Sequence, residues 1–318
     1  MWSTWDEARE PLRIAVLAGG DSAEREISLA SGEHCAQALT AAGHEAALFD
    51  PASTPLGKIA WERFDACFIA LHGGAGEDGR VQRCLEELKV PFTGCGPVAC
   101  RLAMSKSAAK ERFLQAGVPT PGYGLIEPAT ANQVLGDLVD RIGFPLVVKP
   151  DSQGSSLGVS VVQSREDLAG AISRGAVYDD FLLLERHIAG REFTLGIVDR
   201  AALPLVEIVR GERALFDYEA KYRVSDCRHV CEPRLDREIR VGLVDSALRA
   251  ADALGTRGLV RVDLMLDQRG QPWVLEVNNV PGMTSQSLVP LAASHAGISM
   301  AMLCDRLVRA CLPAESLS

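Results

Sequence analysis

The sequence predicts an α/β domain with a parallel sheet, followed by α+β units built on antiparallel strands. Three observations carry this expectation. In the first hundred residues, apolar strands end in glycine turns that lead into helices, the chain order of a parallel α/β layer. In the middle, strands flank PDSQGSSLG, a loop of small and hydroxyl side chains. Further on, RVDLML and WVLEVN alternate polar and apolar residues on either side of DQRGQ, the pattern of a hairpin with one wet face.

Taken in order, residues 12–18 (LRIAVLA) form a strand that ends at Gly19 and Gly20, and a helix follows to residue 42, where Gly43 closes it. Residues 45–49 give the second strand. Residues 66–71 give the third, which runs into His72, Gly73 and Gly74. A helix to residue 88 follows. Ligands of such sheets gather at the carboxyl ends of the strands, so Glu24 and His72 fall near one crevice. Each residue has two readings: Glu24 as a carboxylate favoured by a helix first turn or as a ligand group, His72 as a strand-end structural residue or as a ligand group. The Gly19-Gly20 pair lacks the G-x-G-x-x-G spacing, which excludes a dinucleotide site on that ground.

One helix is expected over residues 98–116, then a stiff VPTP link. Residues 146–149 and 158–162 read as strands around the glycine–serine loop, 164–172 as a helix, and 181–185 and 192–198 as strands. The loop is not a Walker A sequence. It reads either as a free solvent loop or as a cover that grips phosphates with backbone N–H groups and hydroxyls. Lys149 leaves a hydrophobic strand, where an unpaired ammonium is costly and a phosphate would relieve the cost. Residues 203–209 make a strand. Residues 216–230 form a polar connection with Tyr218, Lys221 and Tyr222, suited to a lid. A helix over 235–254 precedes the hairpin, and apolar spacing over 298–308 gives a closing helix.

The hairpin carries the sharpest chemistry. Asp263, Glu276 and Asn278 can project from one face of two paired strands, a hard oxygen set that suits Mg²⁺ carrying phosphates. A solvent-facing sheet alternates in the same way. The PGMT turn after the second strand offers backbone N–H groups and a hydroxyl to a ligand.

Bulk composition narrows the class. A hydrophobic share of 47% with 24% charged residues is that of an ordinary globular chain. No apolar run reaches the length of a membrane span, and MWSTWDEAREPLR lacks the basic and apolar regions of a signal peptide. The formal net charge of −9 argues against broad nucleic-acid binding, and nine scattered cysteines fit a reduced chain in the cytoplasm. Cys227, His229 and Cys231 are close in sequence but lack the further ligand pair a zinc site needs.

LHGGAGEDG, VKPDSQGSSLGV, DYEAKY, GLVRVDLMLD and EVNNVPGMTSQSLVP occur in that order. With them the chain resembles the D-alanine–D-alanine ligases of the ATP-grasp superfamily, from about Arg13 to the last helix. The resemblance implies a three-domain ATP-grasp fold, divided at 1–97, 98–186 and 187–318, with ATP between the second and third. It implies ATP-dependent joining of two D-alanines for peptidoglycan synthesis, with two Mg²⁺ (Mn²⁺ as a substitute), in a cytoplasmic homodimer that binds neither membrane nor nucleic acid.

The resemblance also implies roles. Lys106, Lys149, Ser156 and Lys221 would meet the ATP phosphates. Glu185 would accept from the adenine amino group, with Arg186 and Ile188 giving backbone contacts, Glu192 on the ribose and Met265 packing on the ring. Asp263, Glu276 and Asn278 would hold the metal ions. Glu24 would receive the first ammonium, with His72 near that substrate's carboxylate, and Ser155 and Tyr222 would join Glu24 in a closing cluster. Arg261 and the N–H of Gly282 would form an oxyanion site, and Ser287 and Leu288 would bind the second carboxylate. Arg186, Asn279 and Ser105 stand where lysine, threonine and aspartate are common in the family. DYEAKY resembles dipeptide-forming members rather than those making D-alanine–D-lactate. A ligase with a different second substrate and a non-catalytic nucleotide-binding module are the other readings.

Overall fold

The computed structural model describes residues 10–130, 132–210 and 227–313. Three sheets follow one another along the chain. The first has parallel strands β1 (Arg13–Leu17), β2 (Glu45–Phe49) and β3 (Ala66–Ile69) in the order β2-β1-β3. Helices α1 (Arg25–Ala41) and α2 (Arg80–Glu87) follow the strand ends as expected. β1 and β3 are buried nearly throughout, which is why they read as continuous apolar runs.

The expected single helix over 98–116 is two helices, α3 (Pro97–Met104) and α4 (Lys106–Gln115). Ser105 breaks them: its extended backbone ends α3, and its side chain accepts from the Ala108 N–H as the N-cap of α4. The same hydroxyl donates to Asp151 Oδ2 at 2.8 Å, and Asp151 Oδ1 accepts from the Ser107 N–H at 2.7 Å. The start of α4 is thus pinned to the base of the glycine–serine loop. Both helices pack on the third sheet, where Ala99, Cys100, Ala109 and Phe113 share a core with Phe193, Leu195, Val262 and Leu264.

The second sheet is antiparallel, ordered β4-β7-β5-β6: β4 (Tyr123–Ile126), β5 (Leu146–Pro150), β6 (Ser160–Val162) and β7 (Leu182–Arg186). Helices α5 (Asn132–Ile142) and α6 (Arg165–Gly175) cover it. Its core, with Ile126, Leu146, Val148, Leu182 and Leu184, is separate from the others.

The third sheet runs β11-β10-β8-β12-β13, with β9 (Ala201–Ala202) beside β8. The strands are β8 (Gly190–Val198), β10 (Val206–Arg210), β11 (Cys227–Cys231), β12 (Leu259–Asp267) and β13 (Pro272–Asn278). β11 corrects the reading of 216–230 as one polar connection, because 227–231 pairs with β10. Helix α7 (Arg237–Ala253) backs this sheet. Helices α8 (Leu288–His295) and α9 (Met300–Cys311) fill the space between the first and third sheets, with Val289, Leu303 and Leu307 against Ile14, Leu39, Val198 and Leu259. Among the described residues, no single helix is long and apolar enough to cross a membrane.

Candidate active site

The hairpin β12–β13 forms the floor. Its register pairs Arg261 with Asn278 and Asp263 with Glu276, then shifts so that Leu264 pairs with Val274, leaving Leu275 as an extra residue. Strict alternation from Trp273 would set Trp273 and Glu276 on opposite faces. The bulge restores the phase. Arg261, Asp263 and Met265 therefore share the partly open face with Trp273, Glu276 and Asn278, while Val262, Leu264, Val274 and Val277 go to the core.

Arg261 donates from Nε and Nη2 to Asp263 Oδ1 and Oδ2 at 2.9 and 2.8 Å, a fork that fixes the guanidinium plane. Thr194 Oγ1 and Asn278 Nδ2 donate to the same carboxylate at 2.6 and 3.0 Å. These bonds outweigh burial and hold the Asp263 carboxyl below its ordinary pKa, so it is an anion at neutral pH. Among the described residues, no three His, Cys, Asp or Glu side chains converge as a metal cage. The set is two carboxylates and an amide on one strand face, and its hard oxygens fit Mg²⁺ that keeps water and phosphate ligands.

Over this floor comes the N-terminus of α4. Lys106 Nζ donates to the Gln153 carbonyl at 2.6 Å and lies 3.7 Å from Glu276 Oε2, so one lysine joins the glycine–serine loop to the carboxylate face. The loop bends through Ser155 and Ser156, both at positive φ (48° and 56°). That conformation presents the Ser155 hydroxyl to Glu24 Oε1. Glu24 sits at the N-cap of α1 but its side chain makes no cap hydrogen bond; its carboxylate instead reaches across to the second sheet's loop. Gly73 explains itself here, because a Cβ would lie 2.5 Å from Glu24 Oε2 and its φ is +66°. Beside it, at the ends of β1 and β3, a cavity of about 350 Å³ is lined by Gly20, Ser22, Leu71, His72, Gly73 and Arg80.

His72 is nearly fully buried and both ring nitrogens are engaged. Nδ1 is 3.0 Å from the Val280 carbonyl and Nε2 is 2.8 Å from Ser31 Oγ. A carbonyl only accepts, so Nδ1 carries the proton and Nε2 accepts from Ser31. Burial takes the imidazole pKa down to about 4, so the ring is neutral at pH 7. Ser31 Oγ in turn accepts from the Met283 N–H at 3.3 Å, and His34 Nδ1 donates to the Met283 carbonyl at 2.7 Å. Residues of α1 and the end of β3 thus grip the turn after β13. Within that turn Gly282 passes close to Ser287, whose Oγ would be 2.8 Å from a Cβ. Ser287 caps α8, which starts at Leu288, and its Oγ accepts from the Thr284 N–H at 3.1 Å.

Asn279 is buried, and its amide donates to the Glu77 carbonyl at 2.7 Å, tying the end of β13 to the turn after β3. Glu77 is a residue the sequence reading passed over as part of a glycine turn. Its carboxyl is pushed up to about 7, first by burial and further by Glu24 and Glu276, against the Gly73 N–H and Arg261. Folded Glu77 keeps its proton from about pH 4.5, the ordinary value, to about 7, while unfolded chains have released theirs. Stability from this group is therefore present at low pH and lost as pH rises through that window. Urea denaturation of wild type and Glu77→Gln across pH 5 to 7.5 should show wild type losing on the order of 1–3 kcal/mol relative to the variant. A parallel pair of curves would rule the buried acid out.

The reading of Lys149 as an unpaired ammonium is corrected: its Nζ is 3.1 Å from Glu185 Oε1. Glu185, expected to face adenine, is 3% exposed and also meets Lys110 Nζ at 2.6 Å through Oε2. Arg186 is exposed at the end of β7 and Ile188 is buried just beyond it. Glu192, on β8, is forked by Arg210 at 2.8 Å through both oxygens. Lys221 and Tyr222 lie outside the described residues. Contacts thus link Glu24 to Ser155, Lys106 to the same loop and to Glu276, and Arg261 and Asn278 to Asp263.

The profile described as D-ala D-ala ligase C-terminus matches residues 113–309, and that described as D-ala D-ala ligase N-terminus matches 50–95. This chain belongs to the D-alanine–D-alanine ligase family. The D-alanine–D-alanine ligase of Bordetella petrii is 42% identical over 300 residues, covering 93% of this chain and 91% of that one. That of Nitrosomonas europaea is 44% identical over 291 residues, covering 92% and 94%. A crystal structure of the D-alanine–D-alanine ligase from Bacillus anthracis superposes with a TM-score of 0.84 at 33% identity, covering 94% of this chain and 96% of that one. A second, of the same ligase complexed with ATP, gives 0.81 at 29% identity with the same coverage. The α/β layer and the two α+β units are thus arranged as in ligases of this family.

Proposed function

We propose that this chain joins two D-alanines to D-alanyl-D-alanine at the expense of ATP, through a D-alanyl phosphate, for peptidoglycan precursor synthesis in the cytoplasm. The observation that carries the reading is the linked crevice: Glu24 meets Ser155 across the first and second domains, and Lys106 spans the loop to Glu276 on the third. A carboxylate is a poor acyl donor. Transfer of the ATP γ-phosphoryl to the first D-alanine makes the acyl phosphate and releases ADP. Attack by the neutral amine of the second D-alanine then forms the peptide bond and expels phosphate.

In this reading Glu24 receives the first ammonium, and His72 braces the wall beside that substrate. Lys106, Lys149, Ser156 and Lys221 hold the phosphates, and Glu185, Arg186, Ile188, Glu192 and Met265 surround the nucleoside. Asp263, Glu276 and Asn278 hold two Mg²⁺, or Mn²⁺, whose chemistry is to neutralise charge on the transferring phosphoryl group. Arg261, held by its fork to Asp263, and the Gly282 N–H would face the tetrahedral oxyanion, and Ser287 and Leu288 would take the second carboxylate. Ser155 and Tyr222 close the crevice against water, which would hydrolyse the acyl phosphate. Domains at 1–97, 98–186 and 187–318, and a homodimer, complete the reading.

The test is product identification. Purified protein with ATP, Mg²⁺ and a panel of D-amino and D-hydroxy acids should yield D-Ala-D-Ala and ADP by mass spectrometry. Another abundant product with no D-Ala-D-Ala would overturn the proposal.

A further inference from the structure

Lys110 is a fully buried lysine that the reaction above does not use. It sits one turn after Lys106 on α4, and the two lysines point to different places. Lys106 reaches the loop and Glu276, while Lys110 turns inward. Its ammonium donates to Thr120 Oγ1 at 2.6 Å, and that hydroxyl donates to the Val274 carbonyl at 2.8 Å. It lies 2.6 Å from Glu185 Oε2 and 5.5 Å from the centre of the Tyr123 ring. On the opposite oxygen of Glu185 stands Lys149, at 3.1 Å. One buried carboxylate therefore has two buried ammonium partners.

Two cations for one anion is an uncommon arrangement in a dry site, because the ammonium groups repel each other and each loses its water. It becomes intelligible if one cation has a second destination. Lys149 lies one residue before the end of β5, next to the glycine–serine loop; Lys110 is enclosed by Thr120, Tyr123 and Glu185 and has none. We infer that Lys110 is the resident counter-ion of Glu185, leaving Lys149 free to turn from that carboxylate to the phosphates of ATP. Lys110 is thus a positioning residue for nucleotide binding. The inference rests on the reading of Lys149 as a phosphate lysine. Without Lys110, moving Lys149 onto a phosphate strands a buried carboxylate without a partner, and the nucleotide binds against that cost.

The test separates phosphate binding from adenine binding. Lys110→Met should weaken AMP-PNP with Mg²⁺ by about 10- to 100-fold in calorimetric titration. Adenosine, which has no phosphates and leaves Lys149 on Glu185, should bind within about threefold of wild type. Equal losses for both probes would make Lys110 a structural residue and overturn the inference. On a Glu185→Gln background there is no anion to strand, so adding Lys110→Met should change AMP-PNP affinity by less than about threefold. This neutral pair also gives a reading if the single variant does not fold, and a loss there as large as 10-fold would overturn the inference. Lys149→Met checks the underlying reading: it should weaken AMP-PNP and spare adenosine. If it does neither, the phosphate role of Lys149 fails and the counter-ion role with it. If Lys149→Met weakens AMP-PNP and Lys110→Met does not, the counter-ion role alone fails.

Discussion

Replacing Arg261 with methionine should lower kcat for D-Ala-D-Ala formation by about a thousandfold or more. The guanidinium is fixed by two bonds to Asp263 from the same strand face, and Glu276 and Glu77 add to the negative field around it. It therefore needs no reorganisation to meet charge that develops beside it. That is the condition under which a donor does most for a transition state. Methionine keeps much of the volume and removes the charge. It also leaves Asp263 with only Thr194 and Asn278 as donors, so its carboxyl pKa should rise. Steady-state kinetics and AMP-PNP titration together decide the matter. An oxyanion role predicts a collapsed kcat with nucleotide affinity within about threefold of wild type. A rise in Kd for AMP-PNP that accounts for the whole loss would instead make Arg261 a support for the nucleotide site.

Much of the fold is written in short-range patterns. β1 and β3 are buried on both faces and read as apolar runs, and β12 is half-buried and reads as alternation. The errors fall where a tertiary contact overrides a local rule. Nothing in VACRLAMSKSAAKERFL marks a break at Ser105, because the hydroxyl that ends one helix and caps the next is stabilised by Asp151, 46 residues away. Leu275 bulges because the strand must return Glu276 to the open face after Val274 has gone into the core. A period-2 reading has no means of detecting the extra residue.

The shared face of Asp263, Glu276 and Asn278 was legible from residue type and alternation. The site was illegible where chemistry is carried by burial. Lys149 looked unpaired because Glu185 approaches it from another strand. Glu77 looked like turn sequence because its acidity is set by burial, and further by Glu24 beside α1 and Glu276 on β13, all of them tertiary effects. Asn279, whose departure from the family's threonine had no local explanation, has a distant one: the longer amide reaches the Glu77 carbonyl and fastens the end of β13 to the turn after β3.

Glu276→Gln should reduce turnover by on the order of a thousandfold, with AMP-PNP still bound and far more Mg²⁺ needed for what activity remains. The change alters charge and almost nothing else, since glutamine keeps the length and one oxygen. Glu276 is about one-third exposed, with Lys106 3.7 Å away, so the fold does not depend on the charge. What does depend on it is the set of cations facing the crevice. Lys106, Arg261 and Mg²⁺ held there would repel one another, and Glu276 is the carboxylate of this face not forked to an arginine, since Asp263 is held by Arg261. Asp263 alone therefore cannot take over. A second reading comes from Glu77, whose proton Glu276 helps to retain. Removing the Glu276 charge should lower the folded Glu77 pKa, so the upper end of the pH interval over which the protein loses stability should fall in the variant. Turnover within about tenfold of wild type at ordinary Mg²⁺ would remove Glu276 from the metal set. An unmoved stability profile would separately break its electrostatic link to Glu77. The two results are independent, because one reads cations on the open face and the other a buried proton behind it.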